Sequence, residues 1–278
     1  MQSVQPAVLV VILNYKCYDL TLKMVESLQK DLDYDNYSVM VIDNDSPNES
    51  AKELYEASRK LGFAFVKSDK NGGYAAGNNI GVRYAIDKGY KYTWIINNDL
   101  VLTDREVLSK LVKIAEEKEN IACVGPKIID IEGKVVAPYV NRPTIWNQTL
   151  GVFAEKKKRM NHRFKSGIVY RVYGCCMLVQ NDAMRKVNCM DERTFLYCEE
   201  DILAERFLTV GKRCFYCAEA EIIHLESMTV NREHGRKTKS KVNLVMESMD
   251  LYLKEYRRYG AFSRFVCKTV RKIIMLVR

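Results

Sequence analysis

The residues richest in chemistry are carboxamides and carboxylates that close apolar runs. TWIINNDL, residues 93–100, ends a strand-like stretch on Asn97, Asn98 and Asp99, of which only Asp99 carries charge. Two more clusters stand behind similar runs, DNDSPN from Asp43 and NGGYAAGNN from Asn71. A lone acid behind a strand is ordinarily a cap or turn residue. Three polar clusters behind strands that one sheet would place side by side point instead to a ligand crevice. A hard divalent cation takes oxygen ligands, keeps several waters and binds phosphates through one or two protein carboxylates, so Asp99 alone suffices as its acid. Uncharged amides at Asn97 and Asn98 would then hydrogen-bond sugar or ribose hydroxyls without repelling the phosphates. The Asp43 carboxylate suits the imide N–H of uracil or thymine. Gly73 and Gly77 would let backbone approach a ligand, and the amides of Asn71, Asn78 and Asn79 offer donors and acceptors. No GKS or GKT follows, so the stretch is not a P-loop.

For these clusters to meet, the runs before them must be strands of one sheet. AVLVVILN is apolar throughout, and YDLTLKMVESLQKDL behind it places Leu20, Met24, Val25 and Leu28 at helical spacing. The alternation repeats: YSVMVID, FAFVKS and YTWIIN read as strands, and NESAKELYEASRKL, YAAGNNIGVRYAIDKG and DREVLSKLVKIAEEK as helices. This predicts βαβ units and an α/β fold whose parallel sheet is covered on both faces, with ligands at the strands' carboxyl ends. IACVGPKIIDIEGKVV predicts short strands and turns, and residues 138–166 an irregular, mobile loop. Order resumes at GIVYRVYGCCMLVQ, followed by helices over NDAMRKV and EEDILAERFLTVG, the second ended by Gly211, and by a last strand in AEAEIIHLES. From Lys241 two helices follow, separated by Gly260.

Apolar content of 47% and charged content of 28% in 278 residues exclude disorder and fibrous repeats. The net charge of +9 is unevenly placed: residues 232–278 hold 13 Lys/Arg against 4 Asp/Glu, and the rest of the chain balances. A neutral body with a basic tail suits a tail that meets something anionic. Nine cysteines without framework spacing read as a reduced thiol set. Cys214 and Cys217 make a single CxxC in a strand-like run, and buried strand cysteines are favoured over zinc. No apolar run reaches the roughly 20 residues needed to span a bilayer, and the start lacks a signal peptide's basic region.

VVILNY, VIDNDSPN, NGGYAAGNNIG, NNDL and the stretch from YGCCM to EIIH, in that order over residues 7 to about 228, resemble bacterial family 2 glycosyltransferases of the rhamnosyltransferase-like group. The resemblance implies the GT-A nucleotide-diphospho-sugar transferase fold, a mostly parallel Rossmann-like sheet with an acceptor-side region and C-terminal helices. Its catalytic domain would span 1–230, with the nucleotide-sugar half over about 1–130 and the acceptor half over about 131–230, and a basic loop with amphipathic helices over 231–278. It implies inverting transfer from a UDP- or dTDP-activated sugar, rhamnose-like or hexose, to a carbohydrate or lipid-linked glycan in cell-surface polysaccharide synthesis, with Mn2+ or Mg2+. Asp43 would correspond to the family's base-binding aspartate, with Asn14, Asn44 and the stretch from Asn71 to Asn79 on the donor. The family's metal motif is Asp-X-Asp or a variant, and here Asn97 replaces its first acid, leaving the metal to Asp99. His224 matches a histidine that ligates the metal or touches the diphosphate, with a satisfied core histidine as the alternative. YCEED matches the family's acidic pair. Inversion needs a carboxylate opposite the leaving diphosphate to take the acceptor hydroxyl's proton; Glu200 aligns best with that base and Glu199 is second. GCCM resembles a small-residue strand lining the sugar pocket, with Cys175 and Cys176 structural.

From Phe262 apolar residues fall at 262, 265, 266, 270, 273, 274 and 277, with Arg264, Lys268, Arg271 and Lys272 on the other face. Such a helix suits an anionic membrane surface, with packing onto the catalytic domain or a homodimer partner as alternatives. The expectation is a cytoplasmic enzyme peripheral at the inner face of the cell membrane. Arg232, Arg236, Lys237 and Lys239 read as a flexible loop that folds over the diphosphate, or as a solvated charge run. A nucleotidyltransferase making an activated sugar is disfavoured, because NYKCYDL stands where its Gly- and basic-rich phosphate loop would. A basic nucleic-acid-binding protein is disfavoured by the neutral body and the lack of a binding motif, so no nucleic-acid partner is expected.

Overall fold

The computed structural model describes residues 7–277 apart from 152–153, 155–156, 158 and 226–238. Arg232, Arg236 and Lys237 of the expected basic loop therefore lie outside the described residues, and Lys239 is described only as the first residue of a helix.

Strands β1 (Val8–Asn14), β2 (Tyr37–Asp43), β3 (Ala64–Lys67) and β4 (Tyr92–Asn97) pair in parallel in the order β3-β2-β1-β4. Helices α1 (Tyr18–Asp31), α2 (Ser50–Leu61) and α3 (Gly73–Asp87) make the crossovers. Alternate side chains of β1 go to opposite faces, which explains its uninterrupted apolar sequence. Val8, Val10 and Ile12 pack with Met24, Val25 and Leu28 of α1, while Leu9 and Val11 pack with Ala85 of α3. The strand order reverses between β1 and β4, the place where such a sheet opens a crevice. Register then levels the strand ends, with Asn14 opposite Asp43 and Leu13 opposite Asn97.

Beyond β4 come β5 (Leu100–Val101), α4 (Val107–Glu117), β6 (Ile121–Ile129), β7 (Val135–Val136), α5 (Ile145–Gln148), β8 (Gly167–Val169), β9 (Cys176–Gln180), α6 (Asn181–Lys186), α7 (Glu199–Thr209) and β10 (Arg213–His224). Among the described residues the sheet has ten strands, ordered β3-β2-β1-β4-β9-β6-β10-β5, with β7 beside β6 and β8 beside β10. One antiparallel strand, β9, is wedged between β4 and β6. It brings the segment before it, Gly174 and Cys175, to the carboxyl end of β4, where the Asn97 amide donates to the Cys175 carbonyl at 2.9 Å. The stretch expected to be irregular holds the single-turn α5 because Thr144 and Asn147 cap each other reciprocally.

The chain ends in α8 (Lys239–Leu251), a π-helical turn (Tyr252–Tyr256) and α9 (Ala261–Val277). Met249, Tyr252, Leu253 and Cys267 bury themselves against Ile202 of α7. Polar ties reinforce this: the Tyr252 and Tyr170 hydroxyls are 2.8 Å apart, Tyr170 donates to Glu205 at 2.8 Å, and the Tyr256 hydroxyl donates to Asp191 at 2.5 Å.

Candidate active site

At the end of β2 the Asp43 carboxylate is fully buried and accepts three hydrogen bonds: from Asn14 Nδ2 at 2.7 Å, from the Ser46 hydroxyl at 2.6 Å and from the Ser46 amide at 3.0 Å. Asn14 in turn accepts from the Thr21 hydroxyl at 2.8 Å, and Thr21 accepts from Asn98 Nδ2 at 2.9 Å. The chain Asn98–Thr21–Asn14–Asp43 thus links the ends of three adjacent segments of the sheet edge through buried polar atoms. Asn14 and Asn98, expected to touch the donor, spend these amide groups inside the protein. Asn97 sits half-buried at the very end of β4.

Along the opening of α3, Asn44 Nδ2 donates to Asn71 Oδ1 at 2.9 Å and to the Gly73 carbonyl at 3.2 Å, while Asn71 Oδ1 also receives the Gly73 amide at 3.1 Å. Asn44 Oδ1 and Asn78 Oδ1 remain buried without a hydrogen-bond partner. Gly77 serves packing rather than close backbone approach to a ligand: a Cβ there would stand 2.5 Å from Leu13 Cδ1, so its hydrogen lets α3 settle onto β1. Gly73 is required twice over. Its φ is +84°, and a Cβ would fall 2.1 Å from the Phe195 carbonyl oxygen. Asn79 points away from the sheet edge toward the Met190 backbone and Glu192.

Asp99 and His224, far apart in sequence, meet because β10 runs antiparallel to β5 with His224 opposite Leu100. The Leu225 amide donates to the Asp99 carbonyl at 2.9 Å, and His224 Nε2 stands 3.3 Å from Asp99 Oδ1. Asp99 is buried, and His224 Nε2 is buried without a hydrogen bond. Two ligands about 2.1 Å from an ion and at right angles to each other lie about 3 Å apart, so this pair fits adjacent coordination positions of a small divalent cation. Among the described residues no third His, Cys, Asp or Glu joins them. That leaves positions for phosphate oxygens and water, in keeping with one carboxylate in the motif.

The acid pair opens α7. Glu199 is buried, its Oε2 lacks a hydrogen-bond partner, and burial together with the neighbouring Glu200 pushes its carboxyl well above the ordinary glutamate range. Glu200 is half-buried, and its Oε1 accepts the Gly174 amide at 3.0 Å. A Cβ on Gly174 would lie 2.5 Å from that oxygen, so only glycine admits this contact. Gly174 also receives the Tyr74 hydroxyl on its carbonyl at 2.5 Å, and the Tyr74 amide donates to Phe195 at 2.9 Å. Burial and Glu200 raise the Tyr74 phenol, which keeps it a donor. Burial, then Cys176, Asp99 and Glu200, push up the thiol of Cys175, and residues 174–175 are tied both to the end of β4, through the Asn97 amide, and to Glu200, through the Gly174 amide. Cys176 accepts from the Trp94 indole at 3.3 Å, and its thiol is pushed up to about 12 by burial. Sequence reasoning missed Tyr74 and Phe195, and it placed Gly174 only within GCCM as a pocket-lining strand. The signal for Tyr74 was its place inside NGGYAAGNN, and its partner lies a hundred residues away.

The model of the family described as Glycosyl transferase family 2 matches residues 9–187. A low-salt glycan biosynthesis hexosyltransferase, Agl10 of Haloferax volcanii, is 22% identical over 226 residues, covering 81% of this chain and 68% of the relative. The galactofuranosyltransferase GlfT1 of Mycobacterium tuberculosis is 23% identical over 187 residues, covering 67% of this chain and 60% of the relative. An N-acetylglucosaminyl-diphospho-decaprenol L-rhamnosyltransferase of the same organism is 24% identical over 138 residues, covering 45% of this chain and 44% of the relative. Among solved structures, the mannosyltransferase PcManGT from Pyrobaculum calidifontis, in complex with GDP-Man and Mn2+, superposes with a TM-score of 0.64 at 13% identity over 99% of this chain and 73% of that one. The fold is thus the GT-A fold read from the sequence. With the family model covering well over half its length, the chain belongs to glycosyl transferase family 2.

Proposed function

We propose that the protein is an inverting, divalent-metal-dependent glycosyltransferase. It moves a rhamnose-like sugar or a hexose from a UDP- or dTDP-activated donor to a hydroxyl of a carbohydrate or lipid-linked glycan in cell-surface polysaccharide synthesis, at the cytoplasmic face of the membrane. The observation that carries this reading is the convergence of the Asp99–His224 pair, just past the end of β4, with Glu200, through residues 174–175, whose Cys175 carbonyl accepts from Asn97 and whose Gly174 amide donates to Glu200. Asp43 lies at the same edge and has one carboxylate lone pair left for a base's imide N–H, while Asn71 and Gly73 shape the loop facing the nucleoside and phosphates.

A divalent cation at Asp99 and His224 would supply positive charge against the diphosphate leaving group. The chain's own part is positional. Gly174 orients Glu200 Oε1, which takes the acceptor hydroxyl's proton while that oxygen forms its bond to the anomeric carbon and the bond to the diphosphate oxygen breaks. Glu199 is a second candidate base, favoured by its buried, unpartnered Oε2.

Calorimetric titration with UDP- and dTDP-sugars, with and without Mn2+, tests the assignment. Asp99→Asn is expected to abolish Mn2+-dependent donor binding. Glu200→Gln is expected to keep that binding while turnover falls about 10²- to 10⁴-fold. Full turnover in Glu200→Gln with loss in Glu199→Gln would reassign the base.

A further inference from the structure

Amphipathic helices ordinarily turn their apolar face to the body, and α9 does the reverse. Phe262, Phe265, Val266, Thr269 and Ile273 are exposed, and their spacing places them on one stripe. Phe262 is 80%, Phe265 65% and Ile273 57% exposed. The body side holds Cys267, fully buried, and the cations Arg264 and Lys268, 3.2 and 3.1 Å from the Asp250 carboxylate. Asp250 therefore fixes the helix's rotation, because rolling α9 to hide its phenylalanines would break both ion pairs. Helix α5 packs against α9 and leaves Trp146 65% exposed. Large apolar side chains gathered on adjoining helices, rather than scattered singly, mark a docking surface.

We infer that this face docks on an anionic lipid bilayer, with the phenylalanine stripe sunk below the headgroups and Trp146 at their level. Charge selects this occupant over a second copy of the chain. Residues Ala261–Val277 contain four Lys/Arg and no Asp/Glu. Arg264 and Lys268 are taken up by Asp250, but Lys272 is exposed beside the stripe with no acid on the helix to offset it, so two such faces set together would repel, while phosphate headgroups attract this cation. The docked helix also sets the height of the acids. Through Met249, Tyr252 and Leu253 the C-terminal module is packed on Ile202 of α7, the helix that begins with Glu199 and Glu200. The inference rests on the proposed transfer only in assigning a purpose, presentation of the base to a lipid-linked acceptor.

Flotation of the full chain with vesicles of phosphatidylcholine and phosphatidylglycerol in equal parts, and of phosphatidylcholine alone, tests it. The wild type is expected to float with the anionic vesicles, less at high salt. Phe262→Ser/Phe265→Ser is expected to lower the partition coefficient about tenfold or more with an unchanged thermal melt, since both side chains are exposed. Equal flotation of the two proteins, no flotation of the wild type, or a wild-type dimer that the double substitution dissociates would overturn it. Flotation reads docking without turnover. A protein that transfers sugar yet stays unbound removes the docking alone, and one that floats but transfers nothing supports the docking and removes the proposed function.

Discussion

Both sides of the cleft carry left-handed residues and buried unpartnered oxygens, Lys16 and Asp45 with Asn44 Oδ1 and Asn78 Oδ1 on one side, but they differ in what holds them. At the end of β2, Asp43 has its hydrogen bonds in place before any ligand arrives, and Asn14, Thr21, Ser46 and Asn98 complete one another. At the start of α7 the deficits are left standing: Tyr197 and Cys198 hold left-handed φ values of 74° and 63° although neither is glycine, and Glu199 is buried with an unpartnered oxygen. Each left-handed residue of this kind costs about 1–3 kcal/mol and persists only where the surroundings over-determine it. Those surroundings include the cluster of Ile202, Met249, Tyr252 and Leu253, against which Cys198 packs, and the Ser248 hydroxyl, which donates to the Leu196 carbonyl at 2.8 Å. The contrast teaches that the Asp43 network is stabilised by its own neighbours, whereas the turn before α7 borrows stability from the C-terminal module.

The sharpest way to break this contrast is at the point where the two sides touch. Gly73→Ala forces a side chain onto the Phe195 carbonyl at positive φ, and a loss on the order of 3 kcal/mol or more is expected in urea denaturation. Gly174→Ala comes next. It displaces Glu200 Oε1, and turnover is expected to fall about 100-fold with donor affinity unchanged, as steady-state kinetics would read. Asn14→Ala attacks the Asp43 network: it strips one donor from Asp43 and the acceptor of Thr21, so stability should fall by about 1–3 kcal/mol, read as a lower urea midpoint. An unchanged midpoint would mean that the donor side, too, leans on the rest of the molecule.

The smallest effect is in pH. Glu199 binds its proton more tightly folded than unfolded, so the folded state holds more protons above the ordinary glutamate value of 4.5. Its stabilising contribution is complete below 4.5 and is lost as pH rises toward the raised folded value. Glu199→Gln, which mimics the neutral form, should flatten that decline in melts across the range. The same slope in wild type and variant would place the buried proton elsewhere.

Much of the frame was legible because a doubly covered strand must be apolar at every position, as β1 is, and because polar residues behind such strands fall on one edge. The partnership of Asp99 with the last strand was harder, since it depends on the antiparallel pairing of β10 with the two-residue β5, and only the resemblance pointed to His224. The inverted β9 left no periodic mark, because a buried strand reads alike in either direction. Gly77 was misread for a related reason: a glycine near a helix start signals close approach, but not whether the neighbour is a ligand or Leu13. The pattern of α9 announced two faces without saying which meets the body. One carboxylate, Asp250, decides that.

The backbone joint between Gly73 and Phe195 has a consequence for how such a cleft changes over generations. The spacing between the donor loop and the turn leading to the acids is gauged by a carbonyl and an amide, the Phe195 oxygen and the Tyr74 nitrogen at 2.9 Å, not by side-chain size. Residues around the rim are therefore at liberty to be exchanged while the distance from the α3 loop to the acid pair keeps its calibration.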